Sequence, residues 1–152
     1  MDKVARVYEV TPHVGIGPLR LGMSPAEVRA AMPGHAIEKI GRGHEEMIEA
    51  LGLNVDYSAG DAAVTFIQVF PTTGVRFTLW GIDVFATPAD ELVTALVRRE
   101  GLLAADFPPG RDEYRFPSLR LVLWRRWASD KPGEPGWAFE TVSVHILGYY
   151  EA

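Results

Sequence analysis

Three stretches of the chain place residue types at spacings that chemistry uses. Residues 17–24 read G-P-L-R-L-G-M-S, one residue away from the G-x-x-x-x-G-K-[ST] loop that cradles phosphate. Met23 stands where that loop needs the lysine that neutralises phosphate, and Pro18 removes a backbone donor from the cradle. Leu19 and Leu21 have instead the character of strand residues. The same Gly15-Ile16-Gly17 run has Arg20 where a dinucleotide fingerprint has its third glycine.

Residues 44–48, His-Glu-Glu-Met-Ile, open like the zinc-binding H-E-x-x-H helix, but Ile48 takes the place of the second imidazole. These residues favour a solvated acidic helix face. A carboxylate–histidine site using Glu45, Glu46 or Glu49 needs partners that only the fold can bring. His13, His35, His44 and His145 lie in four distant segments, and the chain has no cysteine, so no spacing supports a metal site. No G-x-S-x-G elbow offers a serine nucleophile. The expectation is no catalytic residue, no metal and no cofactor.

The C-terminal half carries a different kind of chemistry. Trp124, Arg125, Arg126 and Trp127 are followed by Trp137, Phe139, Tyr149 and Tyr150. Tryptophan, tyrosine and arginine dominate the hot spots of protein interfaces. Along residues 119–127 the leucines at 119, 121 and 123 can share one core-facing side. Arg120, Val122, Trp124 and Arg126 then take the other side, where arginine can stack on tryptophan. The alternative is a sheet face covered by a helix, with the arginines reaching past it to solvent.

Composition limits what these groups can serve. A chain of 152 residues with 47% apolar side chains suits one folded domain over 1–152. The net charge is −5, and neither half is basic: residues 1–76 hold 7 basic and 9 acidic groups, residues 77–152 hold 8 and 11. Such a balance does not favour nucleic acid. Without cysteine there is no disulfide, thiolate site or lipid-bearing N-terminal cysteine. Charged residues near Met1 leave no apolar export signal, and no apolar run reaches the ~20 residues of a membrane span. The expectation is a cytoplasmic protein that engages no membrane.

The elements that must position these residues are legible from period and punctuation. Residues 4–10 read as a strand, and 19–21 as a short extended piece. Ser24-Pro25-Ala26-Glu27 predicts a capped helix, with a hydroxyl, a first-turn proline and a carboxylate three residues after the cap. Met47, Ile48 and Leu51 before Gly52 predict a second, short helix. Residues 53–57, 64–70 and 75–80 predict an antiparallel meander, because their connections are short. Thr87-Pro88-Ala89-Asp90 repeats the hydroxyl–proline–carboxylate start, and Gly101 stops that helix. Strands follow over 113–116, 119–127 and 139–147, the last with Thr141, Ser143 and His145 on a wet face.

This makes an α+β fold, mainly antiparallel sheet with two or three short helices. The order of strand, capped helix and strands is written twice, over 13–80 and 81–150. The cap signatures lie 63 residues apart, whereas the apolar stripes align better at 64. Internal duplication is one reading; the other is that any strand–helix joint selects such a cap.

Leu21-Gly22-Met23-Ser24 with Glu27-Val28, ending at Met32-Pro33-Gly34, resembles the repeat of β-lactamase-inhibitor-protein-like domains and BamE-type lipoproteins. The doubled layout resembles the tandem units of that inhibitor family. The stretch from Leu121-Val122-Leu123-Trp124-Arg125 through Phe139-Glu140 to Gly148-Tyr149-Tyr150 is similar to small bacterial proteins of unassigned function. The resemblance implies an aromatic-studded sheet that binds another protein without catalysis. The chain departs from the lipoproteins in lacking a lipobox cysteine, and from the secreted inhibitors in lacking an export signal and a disulfide pair.

The leading expectation is therefore a protein-binding module of immunity or inhibitor type. Its contact surface would use Trp80, Arg120, Trp124, Arg125, Arg126, Trp127 and Trp137. The competing expectation is a small-ligand-binding protein or enzyme with a pocket between the two units, using His145, Glu140 or the cluster from His44 to Glu49. Self-association through the aromatic face is a third.

Overall fold

The computed structural model describes residues 6–40 and 44–149. It contains the strands β1 (Arg6–Thr11), β2 (Gly15–Ile16) and β3 (Leu19–Arg20), then helix α1 (Pro25–Ala31). Strands β4 (Glu38–Ile40), β5 (Glu45–Ile48), β6 (Leu53–Tyr57), β7 (Val64–Val69), β8 (Val75–Leu79) and β9 (Ile82–Asp83) follow. Helix α2 (Ala89–Glu100) leads to β10 (Glu113–Phe116), β11 (Leu121–Trp124) and β12 (Thr141–His145). The first strand expected over 4–10 is found from Arg6; Val4 and Ala5 lie outside the described residues.

The cap of α1 forms as its residues dictate. Ser24 Oγ accepts from the Glu27 N–H at 3.1 Å, and Glu27 Oε1 accepts from the Ser24 N–H at 3.1 Å. The second signature behaves differently. Thr87 Oγ1 donates to the Asp83 carbonyl at 2.7 Å, and Pro88 stands at the cap with no side-chain bond. The start of α2 is held instead by the Ala89 N–H donating to the Trp137 carbonyl at 2.8 Å. Asp90 and Glu91 in the first turn, with Arg98 and Arg99 in the last, complement the helix dipole.

Two sheets share one core. The larger is antiparallel with seven strands in the order β10-β11-β12-β7-β6-β5-β4; the smaller is mixed, β3-β2-β1-β8-β9, with β1 and β8 parallel. Helix α1 is followed by a four-strand meander, β4-β5-β6-β7, and helix α2 by a three-strand one, β10-β11-β12. The meanders join through their last strands, from Val142 opposite Val69 to His145 opposite Phe66.

Two expectations need correction here. Residues 75–80 do not continue the meander, because β7 is already bonded on both edges, by β6 and β12. Strand β8 crosses to the smaller sheet and pairs in parallel with β1. The helix expected before Gly52 is a strand, β5, and one 3-10 turn, Glu49–Leu51. Pairing with β4 and β6 outweighs the helical spacing of Met47, Ile48 and Leu51. Gly52 is required there, since a Cβ would lie 2.5 Å from the Phe70 carbonyl oxygen at φ +66°.

The inward side of the larger sheet, including Leu53, Val55, Ile67, Leu121 and Val144, is fully buried. It merges with Val28 of α1, Leu92 and Leu96 of α2, and Phe77 and Leu79 of β8 in one cluster. The opposite side carries the row Arg115, Val122, Ser143, Gln68, Asn54 and Met47, in register across six strands.

Candidate binding face

Alternation along β11 sends Leu121 and Leu123 into the core, and Val122 and Trp124 to the outer side, as the leucine spacing predicts. Trp124 is 41% exposed. With Phe66, Gln68, Val122, Thr141 and Ser143 it lines a shallow depression of about 330 Å³. Val122 also borders a second depression of about 190 Å³, shared with Arg115, Arg120, His145 and Tyr149. No residue of either helix lines these two hollows; among the described residues, the segment from Ile146 to Tyr149 borders the second. Phe66 and Tyr149 stack at 5.1 Å with ring planes 16° apart, and the Tyr149 hydroxyl donates to Asp56 Oδ2 at 3.0 Å.

The wet face expected for the last strand is only partly wet. Ser143 and His145 are buried, because Val122 and Gln68 flank the serine in register and Tyr149 packs against the imidazole, ring centroids 5.9 Å apart. Burial pushes the His145 imidazole below its ordinary value, and the charges of Arg120 and Arg115 push the same way. A neutral ring is the state this environment favours.

The loop after β11 is built on Arg125. Only 1% exposed, that side chain donates to the Arg111 carbonyl at 2.8 Å, the Gly136 carbonyl at 3.0 Å and Asp90 Oδ1 at 3.1 Å. Arg125 is therefore a strut and not a contact residue, which corrects its assignment to the surface; it follows Trp124 on the core side of the chain. Trp127, 51% exposed, lies beyond it with the Arg126 guanidinium 5.5 Å over its ring. Arg126 is held by Glu140 through its backbone N–H at 2.7 Å and Nε at 2.6 Å.

The remaining predicted residues are dispersed. Trp80 is half-buried in the turn between β8 and β9, under the Arg99 guanidinium at 4.0 Å. It belongs to the smaller sheet. Trp137 is half-buried beside the start of α2. The structure thus puts Arg120 and Trp124 at the hollows of the outer face, leaves Arg126 and Trp127 exposed on the loop after β11, and takes Trp80, Arg125 and Trp137 elsewhere.

The polar groups of the competing reading do not meet between two units. Glu140 serves Arg126, His145 lies on the outer face, and Glu49 is exposed in the 3-10 turn. His44 and Glu46, however, border one cavity of about 90 Å³ beside α1, β5 and β6, with Arg29, Lys39, Tyr57 and Asp61. Glu46 is 3% exposed and receives Arg29 Nη2 at 2.6 Å. His44 Nδ1 lies 2.6 Å from Asp61 Oδ1, and this contact holds the Asp61 carboxyl below its usual range. Tyr57 sits beside Glu46 without hydrogen-bond geometry to it; burial, then the neighbouring carboxylate, raises its hydroxyl pKa. Sequence reading missed Arg29, Tyr57 and Asp61, which come from a helix, a strand and a turn with no shared spacing.

No protein-family model, curated protein or solved structure matches this chain. Among the described residues, no group of three or more histidines and carboxylates is placed to hold a metal ion, and no helix is long and apolar enough to cross a membrane. The outer face offers aromatic area, amide and hydroxyl groups, and arginines at its rim. Such a face recognises by shape and hydrogen bonding.

Proposed function

We propose that this chain is a cytoplasmic protein-binding module of immunity or inhibitor type, acting without catalysis through the outer face of its seven-stranded sheet. The observation that carries the reading is a pair of hollows meeting at Val122 without any helix residue, one of them lined by the exposed Trp124, with Trp127 exposed on the next loop. A helix-free antiparallel face with exposed indoles buries large area at little entropic cost when a partner covers it. Arg120 and Arg126 form the charged rim. The repeated order of helix and meander, joined at β7 and β12, supports two related units and the likeness to tandem inhibitor domains.

The reading is tested by covalent capture in lysate followed by mass spectrometry, then by binding measurements with the purified partner. Trp124→Ala with Trp127→Ala is expected to weaken binding by roughly 30-fold or more, the loss of about 2 kcal/mol that marks a hot spot. The melting temperature should stay unchanged, because both side chains are substantially exposed. Undiminished binding by the double variant would remove this face. Sedimentation that shows a dimer abolished by the same substitutions would assign the face to self-association instead.

A further inference from the structure

We propose that the free edge of strand β10 pairs with the same strand of a second copy of this chain. The inference goes beyond the outer-face reading and does not rest on it. Strand β10 ends the larger sheet, and among the described residues no strand lies on its other side. The Asp112 carbonyl accepts from the Arg125 N–H at 2.8 Å, while the carbonyl of Trp124, which stands opposite Glu113, turns to the Glu140 N–H at 2.8 Å. Bonding alternates along an antiparallel pair. Asp112, Tyr114 and Phe116 therefore bond towards β11, and Glu113 and Arg115 aim their N–H and carbonyl groups at the free edge. A depression of about 300 Å³ runs beside Glu113, Tyr114 and Arg115.

Sheet edges are commonly blunted by lysine or proline, and β10 contains neither. Its outward side chains are Glu113 and Arg115, both exposed and of opposite sign. In an antiparallel pair of β10 strands centred on Tyr114, Glu113 of each copy stands opposite Arg115 of the other. Both residues present edge-facing groups in this register, so each pair exchanges backbone N–H···O bonds. A slip of one residue sets those groups against ones already bonded to β11. A slip of two sets Glu113 against Glu113, or Arg115 against Arg115, and like charges directly opposite are destabilising. One register satisfies both backbone and charge. Glu113 already receives Arg115 Nε within its own strand at 2.8 Å. Such an exposed pair contributes little by itself, and a guanidinium has donors for a second carboxylate. The two-fold pairing puts both outer faces on one side of a continuous sheet.

The test is sedimentation velocity of the full chain from roughly 10 µM to 1 mM, because so short a strand gives the small interface of a transient association. A monomer–dimer equilibrium is expected, with amide hydrogen exchange of Glu113 and Arg115 slowed at the upper concentration. Glu113→Arg alone and Arg115→Glu alone should each raise the dissociation constant about tenfold, since like charges then meet at both pairs. Both positions are exposed, so the melting temperatures should hold. An equimolar mixture of those two variants should associate as tightly as the unchanged protein, because opposite charges again meet in the same register. Trp124→Ala with Trp127→Ala should leave the dimer in place, which separates this edge from the outer face. A monomer throughout the range, a mixture of the two folded variants that stays monomeric, or a dimer lost with the tryptophans and not with the charges would each overturn the proposal.

Discussion

Arg125 shows how one side chain can change role between sequence and structure. Read beside Trp124, Arg126 and Trp127 it belongs to an aromatic–cationic cluster; folded, it is the most deeply enclosed charge in the loop it organises. Two backbone carbonyls and Asp90 depend on it. Arg125→Ala is expected to destabilise by about 3 kcal/mol or more in denaturant unfolding, since it strands buried acceptors. Asp90→Ala should cost only about 1 kcal/mol, because Asp90 is half exposed and the carbonyl bonds to Arg125 survive. Gly136 is the second such position. At φ +89° its Cβ would lie 2.0 Å from the Trp127 carbonyl oxygen, so Gly136→Ala should cost about 1–3 kcal/mol. It should also alter tryptophan fluorescence by displacing Trp127.

At the scale of elements, two similar cap signatures give two different helix starts. Ser24 makes the reciprocal bond with Glu27, so Ser24→Ala should lose about 1 kcal/mol of stability, measured by urea midpoint. Thr87 spends its hydroxyl on the Asp83 carbonyl, one turn before the helix. Restoring only a small aliphatic surface there, as in Thr87→Val, tests that local turn and not the α2 cap. Strands β10, β11 and β12 were legible because their alternation and flanking prolines and glycines are strong local signals. Strand β5 was not. Met47 and Ile48, with Leu51, have helical spacing, and long-range pairing with β4 and β6 overrides it.

At the scale of the molecule, the joined meanders make stability and pH response collective. His145 sits where β12 meets β7, and its folded-state pKa lies below the ordinary 6.5. The unfolded chain therefore takes the proton first as pH falls. The stability tied to neutral His145 is complete above about 6.5 and is lost progressively towards its lower folded value. Asp61 acts in a separate, more acid range: its contribution is present above the model-peptide value of 3.8 and lost as pH falls below it. His145→Asn is expected to flatten the fall in urea midpoint between pH 7 and 5 while leaving the steeper loss below pH 4 in place. An unchanged slope in the upper range would remove His145 as its source.

The sequence by itself determined the class of fold, the first helix with its cap, most strands, and the side of β11 that Trp124 takes. These follow from forces acting within a few residues: hydroxyl-to-amide bonds at a helix end, the period of two along a strand, and turns that glycine permits. Tertiary structure alone decided that β8 leaves the larger sheet and that Arg125 turns inward. It also brought Arg29, Glu46, Tyr57 and Asp61 around one cavity. Those outcomes depend on which strand edges are already occupied and on which distant carbonyls and carboxylates need a buried partner, and neither quantity is written in any local spacing.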